Sequence, residues 1–334
     1  MKKPILLILS TLIFCSCQKE SIREKPNSSI DILDESALVL LDAGAKQEIL
    51  AEGFDWTEGP LWVDDLNALL FTDIPKNAIY KVTNNGELSL YLTPSGYTGE
   101  IARGGEVGAN GLILNSEGFL VLCQHGDRRM AQMESSVDNP KPFFLTLVDS
   151  YQGKRLNSPN DALYDRLGNL YFTDPPYGLE FNVNDPAKEL DFQGIYCLKT
   201  DGELVLVDTI SRPNGITFNP DQSKLLVANS DPKQALWYQY DIVSPGVVEN
   251  KQLFFDATDW VGKDGFKGLP DGMKMHSSGN LFATGPGGVW VFDSAGKPIA
   301  RILTGEATSN CALSPDERTL YMTADNYVLK LELK

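Results

Sequence analysis

From about residue 47 onward, short runs of alternating apolar and polar residues succeed one another, each bounded by Gly, Asn, Asp or Pro. Period-two alternation predicts half-buried strands, and the bounding residues predict hairpin turns between them. The runs also repeat one design, in which a carboxylate or amide residue opens an apolar stretch, a turn follows, and a second β-rich run comes after it. Six segments open this way: Glu58-Gly59-Pro60-Leu61-Trp62, Asn110-Gly111-Leu112-Ile113-Leu114, Asn160-Asp161-Ala162-Leu163-Tyr164, Asn214-Gly215-Ile216-Thr217-Phe218, Asp271-Gly272-Met273-Lys274-Met275 and Asn310-Cys311-Ala312-Leu313. Second runs include Leu69-Leu70-Phe71-Thr72-Asp73 and Leu170-Tyr171-Phe172-Thr173-Asp174. Successive starts lie about 40 to 57 residues apart, a period that predicts propeller blades. One blade cannot bury both faces of its sheet, so the six are expected to close into an all-β, six-bladed β-propeller over residues 47–334. Residues 47–54 are expected to add an edge strand that closes the ring against the last blade. Trp62, Trp237 and Trp290 sit in strand-like runs and read as core.

The N-terminus has a different pattern. Lys2 and Lys3 precede an apolar run over residues 5–14, then Cys15-Ser16-Cys17. A basic start and a short apolar run read as a secretory signal, too short to span a bilayer by preference. Ser16 before Cys17 resembles a lipoprotein cleavage box, with Cys17 as the lipidated residue. The expected organisation is a signal peptide over 1–17, a flexible polar tether over 18–46 with a short helix or strand near 37–41, and the propeller. The protein is thus expected to be exported and to meet a membrane only through its lipid.

Composition narrows the chemistry. The formal net charge of −16 argues against nucleic acid as a partner. Beyond the leader only Cys123, Cys197 and Cys311 remain, each in an apolar run, and they read as buried free thiols. His occurs only at 125 and 276, so a His/Cys zinc site is not expected.

In a propeller the innermost strand of each blade lines the central tunnel, and the residues that open those strands gather at one mouth. Here they are Glu58, Asn110, Asn160, Asn214, Asp271 and Asn310, every one a carboxylate or amide. Such oxygens suit a hard divalent cation, calcium first, with zinc, magnesium and manganese open. Glu58, Asn160, Asn214 and Asp271 would bring it two negative charges. Singly, Asn-Gly and Asp-Gly are also ordinary turn dipeptides. Six such residues in register across six repeats favour a site, although Asn310, in the shortest repeat, reads equally well as a turn or cap.

Thr57-Glu58-Gly59-Pro60, Ser158-Pro159-Asn160-Asp161, Arg212-Pro213-Asn214-Gly215 and Pro270-Asp271-Gly272-Met273, in this order and spacing, resemble the gluconolactonase and regucalcin family of lactonases. Gln124-His125-Gly126-Asp127-Arg128-Arg129 resembles its gluconolactonase branch. The resemblance implies a six-bladed propeller with one divalent cation, held by Glu58, Asn160, Asn214 and Asp271, that opens a sugar lactone to its aldonic acid. It implies Asp271 as general base, and His125 and Arg128 on the substrate side. Asp161, next to Asn160, is the alternative base, and Asn110 and Asp161 are further candidate substrate contacts. His125 reads equally as a structural histidine. Regucalcin-like members carry Arg where this chain has Ser158, so that branch's sugar recognition does not carry over. Two rivals stay open: another ester or phosphotriester hydrolase on the same scaffold, and a sugar-binding surface lipoprotein without turnover.

Overall fold

In the computed structural model, which describes residues 28–334, each repeat forms an antiparallel four-stranded meander whose first strand is innermost. Blades one to four run over residues 57–92, 109–148, 162–209 and 213–256. Blade five is built from residues 273–303. Blade six combines Thr308–Leu313, Thr319–Ala324 and Tyr327–Glu332 with an outer strand, Glu48–Glu52, from the start of the domain. That strand pairs antiparallel with the last one, Glu48 opposite Lys330, and so closes the ring as expected.

The ring form follows from where apolar side chains lie. Alternation gives every strand two apolar-bearing faces, and each face packs against the next blade. One apolar cluster occupies each of the six interfaces between neighbouring blades. Trp237 is fully buried and meets Phe292 across blades four and five at 5.7 Å; Trp62 stacks on Tyr321 across blades one and six at 5.5 Å. Cys123, Cys197 and Cys311 are buried free thiols, as the sequence implied.

The tether expectation needs correcting. The leader, Cys17 and residues 18–27 lie outside the described residues, but residues 28–46 are docked. Ser29–Ile32 pairs antiparallel with the outer strand of blade five, giving that blade a fifth strand. A 3₁₀ turn, Glu35–Val39, is capped by Asp34, whose carboxylate accepts from the Ser36 N–H. It folds Ala37, Leu40 and Leu41 into the cluster between blades five and six. Asp31–Arg301 and Asp34–Lys297 ion pairs flank the arm. The arm docks in two ways: Ser29–Ile32 finds an unpaired sheet edge, which offers a ready hydrogen-bonding partner, and Ile30, Ile32 and Ala45 pack around the three buried side chains. Leu41 is fully buried, so Leu41→Ala is expected to lower stability by about 3 kcal/mol, read as a shifted urea midpoint with an unchanged slope. An unshifted midpoint would mean that the arm adds no stability.

Candidate metal centre at the tunnel mouth

The residues that open the innermost strands do converge. Glu58, Asn110, Asn160, Asn214 and Asp271 line one cavity of about 210 Å³ together with Trp56, Glu106, Tyr177, Ser230 and Leu269. Asn310 does not line it. Its Nδ2 donates to Glu58 Oε2 at 3.1 Å, and its Oδ1 accepts the Cys311 N–H at 2.9 Å. It therefore orients a candidate ligand rather than serving as one.

The glycines that follow these residues are not turn glycines. Gly59, Gly111 and Gly215 sit inside strands and Gly272 immediately before one, where neighbouring innermost strands approach closely. A Cβ on Gly215 would lie 2.1 Å from the Asp271 carbonyl oxygen, and one on Gly59 would lie 2.1 Å from that of Asn110. The ring is thus tight enough to bring five side chains to one point. Hydroxyls staple it further: Thr173 Oγ1 donates to the Asn214 carbonyl at 2.7 Å, and Ser309 Oγ to the Thr57 carbonyl at 2.7 Å.

A second repeated device aims the side chains. A carboxylate or amide at or near the end of the second strand of several blades accepts backbone N–H groups just ahead of a site residue. Asp174 accepts from Asn157 and Ser158 at 2.8 and 2.7 Å, ahead of Asn160. Asn229 accepts from Arg212 at 2.8 Å, ahead of Asn214, and Asp73 from Trp56 at 3.3 Å, ahead of Glu58. Burial pushes Asp174 up to about 7 despite the two N–H bonds that favour its charged form.

The electrostatics of the mouth call for a cation. Burial pushes Glu58 up to about 8, opposed by the Gly59 N–H at 2.8 Å and reinforced by the charges of Asp161 and Glu106. Asp271 is pushed well above the ordinary carboxylate range by burial, then by Glu58, Asp161 and Glu106. Its Oδ1 is buried with no hydrogen-bond partner among the described residues, as is Asn110 Oδ1. Asn214 donates its Nδ2 to Ser230 Oγ at 2.9 Å, which leaves its Oδ1 free to accept. Buried oxygens without donors, beside carboxylates that repel each other, are a fitting cradle for a hard divalent ion. Among the described residues no three His, Cys, Asp or Glu side chains converge on one point. The cradle is two carboxylates with neutral amides, a donor set that suits calcium better than a soft metal.

The other expected site residues separate. Asp161 lies outside the cavity lining; its Oδ1 accepts the Ala162 N–H at 2.9 Å, burial raises its pKa, and Lys274 opposes the rise. The expected base alternative and substrate contact at Asp161 is thus corrected to a charge within the packed ring. Arg128 is also corrected. It is buried with Nε donating to the Leu156 and Asn157 carbonyls at 2.7 and 3.1 Å and Nη1 to the Ala187 carbonyl at 2.9 Å. These bonds fasten two loops, and Nη2 is left without a partner among the described residues. His125 is fully buried, outside the lining, with Nδ1 3.1 Å from Glu106 Oε2. It touches a cavity residue and is not one itself.

Sequence reasoning missed Trp56, Glu106, Tyr177, Ser230 and Leu269. Ser230 carries a readable signal, because it follows Asn229 at the end of a second strand, level with Asn214. Glu106 and Tyr177 lie in loops outside the strands and have no counterpart from blade to blade.

Residues 56–326 match the family model described as SMP-30/Gluconolactonase/LRE-like region. A gluconolactonase of Zymomonas mobilis is 36% identical over 300 residues, 88% of this chain and 83% of that protein. The structure of a Xanthomonas campestris gluconolactonase superposes with a TM-score of 0.78 at 27% identity, covering 93% of this chain and 97% of the other. A diisopropyl-fluorophosphatase of Loligo vulgaris is 32% identical over 192 residues, 54% of this chain and 59% of its own.

Proposed function

The chain belongs to the SMP-30/gluconolactonase/LRE-like family, and from that footing we propose that it is a lactonase, a carboxylic-ester hydrolase that opens a sugar lactone to its aldonic acid with the help of one divalent cation, calcium first. The observation that carries this is the convergence of Glu58, Asn160, Asn214 and Asp271 on one cavity whose lining holds no cationic side chain to meet their charge. These four residues would hold the ion. When bound, it supplies Lewis-acid polarisation of the lactone carbonyl.

The chain's own residues supply the rest. Gly59 and Asn310 fix the Glu58 carboxylate, and Ser230 fixes the Asn214 amide, so the cradle is pre-organised. Trp56, Tyr177 and Leu269 wall the cavity, and the two aromatic rings offer flat apolar faces to a sugar ring. Among the described residues no Lys, Arg or His lines it. An uncharged lactone fits such a cavity, and the aldonate product leaves a site facing Glu58, Glu106 and Asp271. Export and a lipid on Cys17 belong to the same proposal, resting on the N-terminal pattern of Lys2, Lys3 and the apolar run.

The test is hydrolysis of D-glucono-1,5-lactone and a lactone panel by the protein after chelation and after calcium, zinc, magnesium or manganese is added back. Activity is expected to vanish on chelation and return with calcium. The likeness to the diisopropyl-fluorophosphatase of Loligo vulgaris favours including phosphotriesters and aryl esters. Turnover of those with none of any lactone would replace the lactonase reading by the rival hydrolase, and tight sugar binding without turnover would replace both.

A further inference from the structure

The lactonase reading leaves the proton of the attacking water without a good acceptor. Asp271, expected to take it, is one of the four proposed ligands, and a carboxylate held on a divalent cation is a weak base. Asp161 does not reach the cavity lining. A third carboxylate does. Glu106 lines the cavity, stands outside the ligand set, and is near enough to Glu58 and Asp271 for its charge to bear on both.

Its setting is built rather than incidental. Glu106 ends a glycine-bearing loop that leans on residues 177–180. Gly105 has φ +83° and so close a backbone approach to Glu180 that a Cβ there would lie 3.0 Å from the Glu180 nitrogen. Behind Glu106 stands His125, with Nδ1 3.1 Å from Glu106 Oε2. His125 is fully buried and its position is fixed from several sides. Its carbonyl accepts from the Arg128 N–H at 3.2 Å and from Arg103 Nη2 at 3.4 Å, and Gly178 packs so closely that a Cβ there would lie 2.8 Å from the His125 Cβ. His125 Nε2 has no partner among the described residues. The ring and the carboxylate are close but not aligned for a hydrogen bond, as catalytic pairs commonly are before substrate draws them together.

We infer that Glu106 is the general base of the reaction and that His125 is its positioning residue, holding one carboxylate oxygen so that the other serves the cavity. This rests on the lactonase reading. Water oxygen bonds to the lactone carbonyl carbon while one water proton passes to Glu106. When the ring carbon–oxygen bond breaks, Glu106 returns that proton to the departing ring oxygen, which becomes the hydroxyl of the hydroxy acid. The new carboxylic acid then loses its own proton to solvent. Glu106 ends as it began, and no other reactant is needed.

The test compares Glu106→Gln, Glu106→Ala and Glu106→Asp with wild type in calcium titration calorimetry and in steady-state lactone hydrolysis. Glu106→Gln is expected to keep calcium affinity within about threefold while kcat falls by about 10²-fold or more and KM changes little. Formate is expected to restore part of the turnover of Glu106→Ala, and Glu106→Asp to retain more activity than Glu106→Gln. His125→Gln is expected to lower kcat less than Glu106→Gln does, and to add little when combined with it. Wild-type turnover in Glu106→Gln would overturn the inference while leaving the lactonase reading intact. So would the loss of calcium affinity, which would make Glu106 a ligand. A wild-type protein that binds calcium and opens no lactone would overturn both.

Discussion

Asp271→Asn is expected to weaken calcium binding and turnover together. The substitution keeps shape and volume, and the Asp271 N–H to Thr284 carbonyl bond at 3.1 Å is unaffected, so the strand is retained. What goes is one of the two formal charges in the proposed ligand set. Loss of a partner that merely orients a ligand costs about 10- to 100-fold in metal affinity, so loss of a charged ligand is expected to cost about 100-fold or more. Turnover falls with it, by about 10³-fold at calcium levels that saturate wild type. The readouts are calorimetric calcium titration and kcat/KM on the same preparation. Higher calcium is expected to recover part of the loss, because the amide oxygen still accepts the ion. An Asp271→Asn variant that binds calcium like wild type and turns over fully would remove Asp271 from the site. The contrast with Glu106 separates the two roles: one variant loses affinity and rate, the other rate alone.

The residues that sequence reasoning locates share one property, repetition. Glu58, Asn110, Asn160, Asn214 and Asp271 open equivalent strands, and equivalence in a closed ring becomes proximity, so spacing alone brings five of them to one mouth. Asn310 obeys the same rule and lies beside Glu58, but whether such a residue binds or braces depends on where its two polar atoms point, and the Cys311 N–H decides that. Residues without a repeat are illegible in this way. Glu106 and Tyr177 reach the cavity from loops whose course depends on each other, through contacts such as that between Gly104 and the Glu180 side chain. Arg128 and His125 stand in a recognisable motif, yet a motif does not say which way a side chain faces. Arg128 turns to the carbonyls of Leu156 and Asn157, and only His125 turns towards the mouth. The arm over residues 28–46 escapes sequence reasoning for another reason. Its apolar residues are interspersed with charged ones and follow no strand or helix period, so the pattern does not show that Ser29–Ile32 finds an open sheet edge and that Ala37, Leu40 and Leu41 find a groove between blades.

The same charges that make the mouth a cation site should set the stability of the metal-free protein. Glu58 has an ordinary value of 4.5 and is raised to about 8 in the fold, first by burial. Between those two values the folded chain holds a proton that the unfolded chain has lost. The Glu58 contribution to the stability of the metal-free protein therefore falls as pH climbs from about 4.5 towards 8, and levels off above. Asp174, raised to about 7, adds a slope of the same sign that owes nothing to metal. Glu58→Gln removes only the first part. At pH 8 without calcium, Glu58→Gln is expected to melt higher than wild type, since each pKa unit of relieved burial and repulsion is worth about 1.4 kcal/mol. At pH 5 the two are expected to melt together, because Glu58 is then protonated in the fold. Calcium narrows the gap at pH 8: at about a hundredfold excess over Kd the wild type gains about 2.7 kcal/mol, and the variant, short of one ligand charge, gains much less. Thermal melts at pH 5 and pH 8, with chelator and with calcium, give all of these comparisons. A metal-free wild type that is no less stable at pH 8 than Glu58→Gln would mean that the mouth carries no electrostatic strain for a cation to relieve. The narrowing of that gap on calcium addition ties the site to the fold: a ring drawn tight enough to gather five polar side chains holds their charges at a cost in stability, and a bound cation offsets it.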